Sequence, residues 1–277
     1  MLQDLDNGRL LNEYKNITPS EEDMLLSFKG GDILLKREGE KIFLPEFSEY
    51  KRGDILNPIY LFEISGTRYF LNEKDEDISI SGYSYETARG IRDVVPKESC
   101  FAILTAWHLY CWYKNNHYCG RCGEKTMHDE KERMLRCENC GNMIFPKISP
   151  AVIIAVTDGD KLLLSKYAGR AYTRYALLAG YTEIGETMEE TVKREVMEEV
   201  SLSVKNIRYY KSQPWGVDGN VLMGFYCDLD GDNTITIDEN ELSMAQWFKR
   251  GEIPAKDDGF SLTREMIRIF DEGKEPK

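Results

Sequence analysis

The sequence has no apolar run of membrane-spanning length. Its typical hydrophobic stretch, Ala151 to Val156, covers six residues, where a span needs about twenty. The opening, Met-Leu-Gln-Asp-Leu-Asp, has neither the basic cluster nor the apolar segment of a secretion signal. A cytoplasmic protein without a membrane partner is the expectation. Basic charge is also scarce. With 36 Lys and Arg against 48 Asp and Glu, the formal charge is −12. That balance argues against gripping long nucleic acid mainly through its phosphates. It leaves room for a small phosphate ligand held through metal ions.

What is present fits a globular protein with sizeable cores: 277 residues, 42% apolar and 30% charged, enough for two domains and a small module between them. The expected division is residues 1–115, 116–147 and 148–277. Residues 24 to 72 read as an antiparallel meander, with Gly30-Gly31-Asp32 and Glu38-Gly39-Glu40 as turns. Within it, Ile59 to Ile64 and Arg68 to Leu71 flank a Ser-Gly-Thr hairpin turn. From Ser99 to Lys114 apolar residues cycle at helical spacing. His108, Cys100 and Cys111 on that helix read as packed side chains.

Seven cysteines in a reducing compartment suggest metal ligation before disulfides. Four fall in two knuckles, Cys119-Gly-Arg-Cys122 and Cys137-Glu-Asn-Cys140, fourteen residues apart and each followed by glycine. Two such knuckles wrap four thiolates around one tetrahedral Zn²⁺. A four-cysteine site is coordinatively closed, so this zinc is structural. His117 and His128 flank the knuckles and are read as non-ligands. Between Lys114 and Lys147 seven basic residues face five acidic ones. That is a mild bias rather than a polyanion-binding stripe, so scaffold or dimerisation is the better role for the ribbon.

Residues 180 to 202 carry the sharpest signal. A Gly-rich turn runs into a helix on which Val192, Val196 and Val200 recur every fourth position and face a core. At about 100° per residue, Glu195, Glu198 and Glu199 fall together on the adjoining face. Like charges one turn apart repel, and carboxylates near a helix C-terminus oppose the macrodipole. Arg194 offers one positive charge against three. Hard divalent ions such as Mg²⁺ or Mn²⁺, which take oxygen ligands, would supply the rest.

This stretch resembles the Nudix box: Gly180, Glu186, Arg194, Glu195, Val196, Glu198, Glu199 and Leu202 stand at the family's spacings. The second glycine of the pattern is replaced by Ser201, which puts the ending of the helix in question and leaves the carboxylates untouched. Outside the box, Ala151 to Thr157, Lys161 to Tyr167, Tyr175 to Ala179, Val204 to Gln213, Val221 to Leu229 and Met244 to Lys249 read as strands. A final amphipathic helix follows from about Ser261 to Phe270. The expected fold class is α/β (α+β). A Nudix α/β/α sandwich is preceded by a zinc ribbon and a mostly antiparallel β N-terminal domain.

The resemblance implies phosphoanhydride hydrolysis. Glu195 and Glu199 would be the main metal ligands, Glu198 an assistant, and Glu199 the base. Glu186 and Arg194 would pair structurally. The carbonyl of Ala179 and a distal glutamate, Glu241 with Glu239 as alternative, would complete the metal set. The whole order of ribbon, box and Ser212-Gln213-Pro214-Trp215 resembles the bacterial NADH pyrophosphatase subfamily, some of whose members remove NAD caps from RNA. That resemblance places Tyr181 and Trp215 as ring-stacking residues, with Gln213 and Pro214 shaping the pocket. Arg89, Glu132 and Phe145 would be further substrate contacts, Phe145 entering the partner's site in a homodimer. The expected substrate is NAD(H), with NAD-capped RNA open. ADP-ribose hydrolysis is one alternative; a zinc-ribbon RNA-binding protein with an inert Nudix fold is another. After Trp215 the subfamily's prolines give way to Gly216-Val-Asp-Gly-Asn220, which predicts a more flexible loop and puts substrate preference in question.

Overall fold

The structure, a computed structural model, describes residues 1–5, 8–74, 76–91, 95–169, 173–255 and 257–277. The chain forms two compact units. One comprises residues 2–147 and 215–219; the other comprises Met1 and residues 148–214 and 220–277.

In the first of these, seven strands share one sheet: β1 (Leu10–Leu11), β2 (Met24–Lys29), β3 (Asp32–Glu38), β4 (Lys41–Phe43), β5 (Ile59–Ile64), β6 (Thr67–Asn72) and β7 (Ser84–Thr87). The turns between β2, β3 and β4, and between β5 and β6, give antiparallel pairs. The sheet is nevertheless not a pure meander. β2 and β6 run parallel, from Met24 opposite Tyr69 to Ser27 opposite Asn72. Side-chain alternation is the same beside a parallel or an antiparallel neighbour, so the pattern could not reveal this. Helix α1 (Lys97–Asn115) is apolar on most sides and correspondingly buried. Its Tyr110 ring stacks on Phe28, with centroids 4.8 Å apart. Cys100 is buried and its thiol donates to the Ile91 carbonyl at 2.8 Å. Cys111, expected inside, is only half-buried. His108 is half-buried too, with Nε2 at 2.7 Å from the Lys147 carbonyl. Three two-residue strands, β8 (Met127–His128), β9 (Leu135–Arg136) and β10 (Met143–Ile144), make the antiparallel ribbon.

The other unit is a sheet between two helices. Its strands are β11 (Ser149–Asp158), β12 (Lys161–Tyr167), β13 (Leu178–Tyr181), β14 (Val204–Trp215), β15 (Asn220–Leu229) and β16 (Leu242–Lys249), with α2 (Met188–Val200) and α3 (Leu262–Asp271). The order is β14-β15-β11-β12-β16, with β13 added against β11. β11 shows why its run is apolar throughout. Val152, Ile154 and Val156 pack with Val192, Val196 and Val200 of α2. The alternate residues Ile153 and Ala155 pack with Leu262, Met266 and Phe270 of α3. A strand covered on both faces needs apolar residues at every position. Each of the three α2 valines is fully buried, worth roughly 1.5–3 kcal/mol apiece as an upper figure. The strand expected at Tyr175 to Ala179 starts later and includes the box glycine, with Gly180 opposite Val152. Among the described residues no helix is long and apolar enough to cross a membrane.

Helix α2 starts on a capping box. Thr187 Oγ1 accepts the Glu190 amide at 3.2 Å and Glu190 Oε2 accepts the Thr187 amide at 2.8 Å. It ends at Ser201, which adopts the left-handed conformation, φ 57° and ψ 33°, with its N–H on the Met197 carbonyl at 3.0 Å. The geometry of the missing glycine is therefore kept, at a cost of about 1–2 kcal/mol for a residue with a Cβ. Restoring glycine also loosens the unfolded chain by about 0.4–1 kcal/mol. Ser201→Gly is accordingly expected to stabilise the protein by up to about 1 kcal/mol, read from the urea midpoint; a lower midpoint would contradict this account.

Candidate active site

The box residues converge through a glycine. A Cβ at Gly180 would stand 1.8 Å from Glu195 Cδ and about 2 Å from both its oxygens. The Glu195 carboxylate thus lies directly against the backbone of β13, next to Ala179. Only hydrogen leaves room for it, which is why the motif carries glycine here. Glu195 is 9% exposed and Glu199, one turn on, is 2% exposed. Burial pushes the Glu195 carboxyl above its ordinary range despite the nearby Arg194, and the charges of Glu198 and Glu241 add to the rise. Glu241 is therefore electrostatically part of this group, from the turn preceding β16. Glu198, expected on the same face, is instead exposed and reaches the others through Arg194. Glu239 is an exposed turn residue.

Arg194 is the junction. Its Nε and Nη2 donate to Glu186 Oε1 and Oε2 at 2.6 and 2.9 Å. Nη1 donates to Glu195 Oε1 and to Glu198 Oε2, each at 2.8 Å. Nη2 also holds the Tyr181 carbonyl at 2.8 Å. The bidentate Arg194 pair, followed by the Glu183 amide, holds the Glu186 carboxyl down at about 2. A lowered folded-state value stabilises above the ordinary carboxylate range, and the benefit is lost as pH falls towards about 2.

The donor set suits a hard divalent ion: two buried carboxylates on successive turns, a third at the rim, and strand backbone beside them. The carboxylates are not drawn into one tight cage. Among the described residues, the four cysteines are the one group of three or more such side chains whose ligand atoms all lie within 4.8 Å of one another. Glu195 and Glu198 meet instead on the shared Nη1 of Arg194.

The cysteines form that cage with Cys119 and Cys140 sulfurs 3.6 Å apart and Cys122 and Cys137 sulfurs 3.4 Å apart. Each knuckle closes alike: Gly123 N–H reaches the Cys119 carbonyl at 2.8 Å, and Gly141 N–H the Cys137 carbonyl at 2.9 Å. Both glycines take positive φ, 81° and 70°. The Arg121 amide helps lower the Cys119 thiol to about 6, and the Glu124 amide lowers Cys122. Such amides favour thiolates, the form zinc takes. His128 is occupied elsewhere, with Nε2 at 2.9 Å from Glu73.

The remaining expected contacts separate. Tyr181 is 52% exposed, and its hydroxyl is tied to Asn220 at 3.1–3.3 Å. Gln213 is fully buried. Its amide nitrogen donates to the Phe260 carbonyl at 2.9 Å and its oxygen accepts the Leu262 amide at 2.7 Å. It caps the start of α3, a task invisible in the local sequence; Pro214 follows it on β14, exposed. Arg89, Glu132, Phe145 and Trp215 belong to the N-terminal unit. There Trp215 Nε1 donates to Asp218 at 3.2 Å, and Arg89 lies 4.0 Å from the same carboxylate. Phe145 is 52% exposed and Glu132 is exposed. Residues 215–219 are pinned, contrary to the expected flexibility. Val217 is 4% exposed, and a Cβ on Gly216 would meet the Leu104 carbonyl oxygen at 2.1 Å. Asn220 and Asp218 were not singled out by sequence, since a turn-type Asp-Gly-Asn run signals only a loop.

A family model for the NUDIX domain matches residues 147–269, and one for the NADH pyrophosphatase zinc ribbon domain matches residues 114–145. The chain belongs to the Nudix hydrolase family, in the branch that carries this ribbon. Within that branch it is similar to the NAD-capped RNA hydrolase NudC of Erwinia tasmaniensis, 32% identical over 232 residues, 83% of this chain and 88% of that protein. The NAD-capped RNA hydrolase NudC of Haemophilus influenzae (strain PittEE) is 37% identical over 180 residues, 63% of this chain and 67% of its own. A solved Nudix hydrolase from Nitrosomonas europaea is 22% identical and covers 57% of this chain and 91% of its own, with a TM-score of 0.49.

The contact at Gly180 makes a sharp prediction. In Gly180→Ala the colliding atom is the far end of a side chain, so the fold survives and Glu195 is displaced. Divalent-dependent turnover should fall at least tenfold with the melting temperature little changed; an unimpaired Gly180→Ala enzyme would show that Glu195 need not sit there.

Proposed function

We propose that this protein hydrolyses the pyrophosphate of NAD(H) to nicotinamide mononucleotide and AMP, and accepts NAD-capped RNA as a larger form of the same substrate. The observation carrying this reading is the buried pair Glu195 and Glu199, with Glu195 seated against Gly180. Those two would hold Mg²⁺ or Mn²⁺, assisted by the Ala179 carbonyl, Glu241 and, at the rim, Glu198. A divalent ion there supplies Lewis-acid neutralisation of the diphosphate charge and makes water more acidic. Glu199 takes the proton as water attacks phosphorus and the anhydride P–O bond breaks, releasing two monophosphates. Arg194 keeps Glu195 and Glu198 oriented, and Glu186 keeps Arg194 in place. Gly180 supplies the space.

By the resemblance, Tyr181 and Trp215 would stack the substrate's rings, with Arg89, Glu132, Phe145 and Pro214 as further contacts. Gln213, also a contact by the resemblance, fixes the start of α3 to β14. The domain plan is residues 1–115, 116–147 and 148–277, acting as a cytoplasmic homodimer with one structural zinc per chain. The names of the NudC relatives and the shared ribbon support NAD over other nucleoside diphosphates.

Incubation with NADH, NAD⁺, ADP-ribose and NAD-capped RNA, in Mg²⁺ or Mn²⁺, ranks the substrates by products resolved chromatographically. Nicotinamide mononucleotide and AMP are expected from the dinucleotides. ADP-ribose as the sole substrate would replace the reading. Glu199→Gln should lower kcat by roughly 10²–10⁴ with an unchanged circular dichroism spectrum; near-wild-type turnover would remove Glu199 as the base.

A further inference from the structure

Asn220, the first residue of β15, spends a buried amide on a surface ring. It is 7% exposed, and among the described residues its side chain hydrogen-bonds to Tyr181 alone. Its Nδ2 donates to the phenol oxygen at 3.1 Å, and the phenol reaches its Oδ1 at 3.3 Å. A polar group taken out of water needs such a partner. Here the partner is a tyrosine left 52% exposed, so the pair ties a surface side chain to the interior.

The sheet register shows how far the tie extends. β13 and β15 both pair with β11, with Tyr181 opposite Ala151 and Asn220 opposite Ser149. Strands on the two sides of a third lie roughly 9–10 Å apart. The phenol can reach Asn220 only with its ring extended over β11. Opposed residues project to the same face, so Ala151 lies along the ring's path, and its single methyl leaves the ring room to pass. The other end of Tyr181 is fixed as well. Arg194 Nη2 holds its carbonyl at 2.8 Å, and the same guanidinium donates to Glu195 and Glu198. With backbone and hydroxyl both held, the two side-chain torsions of Tyr181 are set in the free protein. An exposed tyrosine without such a tie exchanges among staggered rotamers.

We propose that Asn220 is a positioning residue for substrate binding. It acts through Tyr181, holding that ring in the pose on which a flat heteroaromatic ring of the substrate stacks. Through Arg194 the ring is also kept in a fixed relation to the carboxylates. This inference rests on the NAD(H) reading, in which Tyr181 is a stacking residue. A ring ordered beforehand removes an ordering cost from association. The stack is made equally in the ground and transition states, so its loss raises KM and leaves kcat alone.

Tyr181→Phe, Asn220→Ala and the double variant test this in the full-length, zinc-loaded protein. Each single change should raise KM for NADH by about threefold to tenfold, the scale of one hydrogen bond, with kcat nearly constant. The double variant should be no worse than the poorer single, because both remove the same bond; additive losses would overturn the coupling. The ring is also read without substrate, by NMR of protein carrying ¹³C-labelled tyrosine rings, with Tyr181 assigned by its absence in Tyr181→Phe. In Asn220→Ala the Tyr181 signals should move to the shifts of a free, exposed tyrosine, with little change in melting temperature. Unmoved signals would remove the tie, whatever the enzyme's substrate. A released ring with unchanged KM would overturn the positioning role. Absence of any dinucleotide turnover by the wild type would instead remove the NAD(H) reading and this role with it, while the NMR result still decides the tie.

Discussion

One guanidinium organises the carboxylate-bearing face of α2. Arg194 donates to Glu186, Glu195, Glu198 and the Tyr181 carbonyl at 2.6–2.9 Å. It thereby ties the loop after β13 to the middle and end of α2. Without it, carboxylates one turn apart at a helix C-terminus repel each other and the dipole alike. With it, Glu195 can be pressed against Gly180 and buried, where burial raises its proton affinity. Glu199 lies deeper, on the inner side of the same helix. The protein accepts the burial of two carboxylates at this helix end, with the Arg194 guanidinium offsetting part of their charge.

That arrangement was legible because helix geometry converts spacing into position. Val192, Val196 and Val200 announce the buried stripe, and Glu195 and Glu199 must lie beside it. The finer split was not legible. Glu198 falls on the exposed side by a fraction of a turn, and only packing against β11 and β13 decides which carboxylate is covered. Ser201 shows the converse. Its side chain signals a departure, yet the backbone keeps the left-handed turn the glycine would take, because the surrounding ladder fixes the chain. The four cysteines were readable for a different reason, since paired thiols repeated at a fixed spacing match the geometry of one tetrahedral metal ion.

What escaped were tertiary partnerships. Gln213 sits in a motif that suggests substrate, and its amide is spent on the first turn of α3, 49 residues further along the chain. Asn220 meets Tyr181 across 39 residues. The parallel pairing of β2 with β6 likewise depends on a neighbour, not on alternation within either strand. The loop after Trp215 reads as loose from its glycines. Yet Gly216 is there because a helix carbonyl approaches too closely for any side chain. Glycine composition alone does not distinguish freedom from close contact.

The central claim is that Glu195 and Glu199 collect divalent cations at the end of α2. Anomalous diffraction from crystals soaked with Mn²⁺ and a non-hydrolysable NAD analogue tests it most directly. The account predicts manganese peaks roughly 2.0–2.2 Å from carboxylate oxygens of both residues, with the analogue's diphosphate against them. Strong manganese density elsewhere, with the analogue bound away from Gly180 and these glutamates, would contradict it.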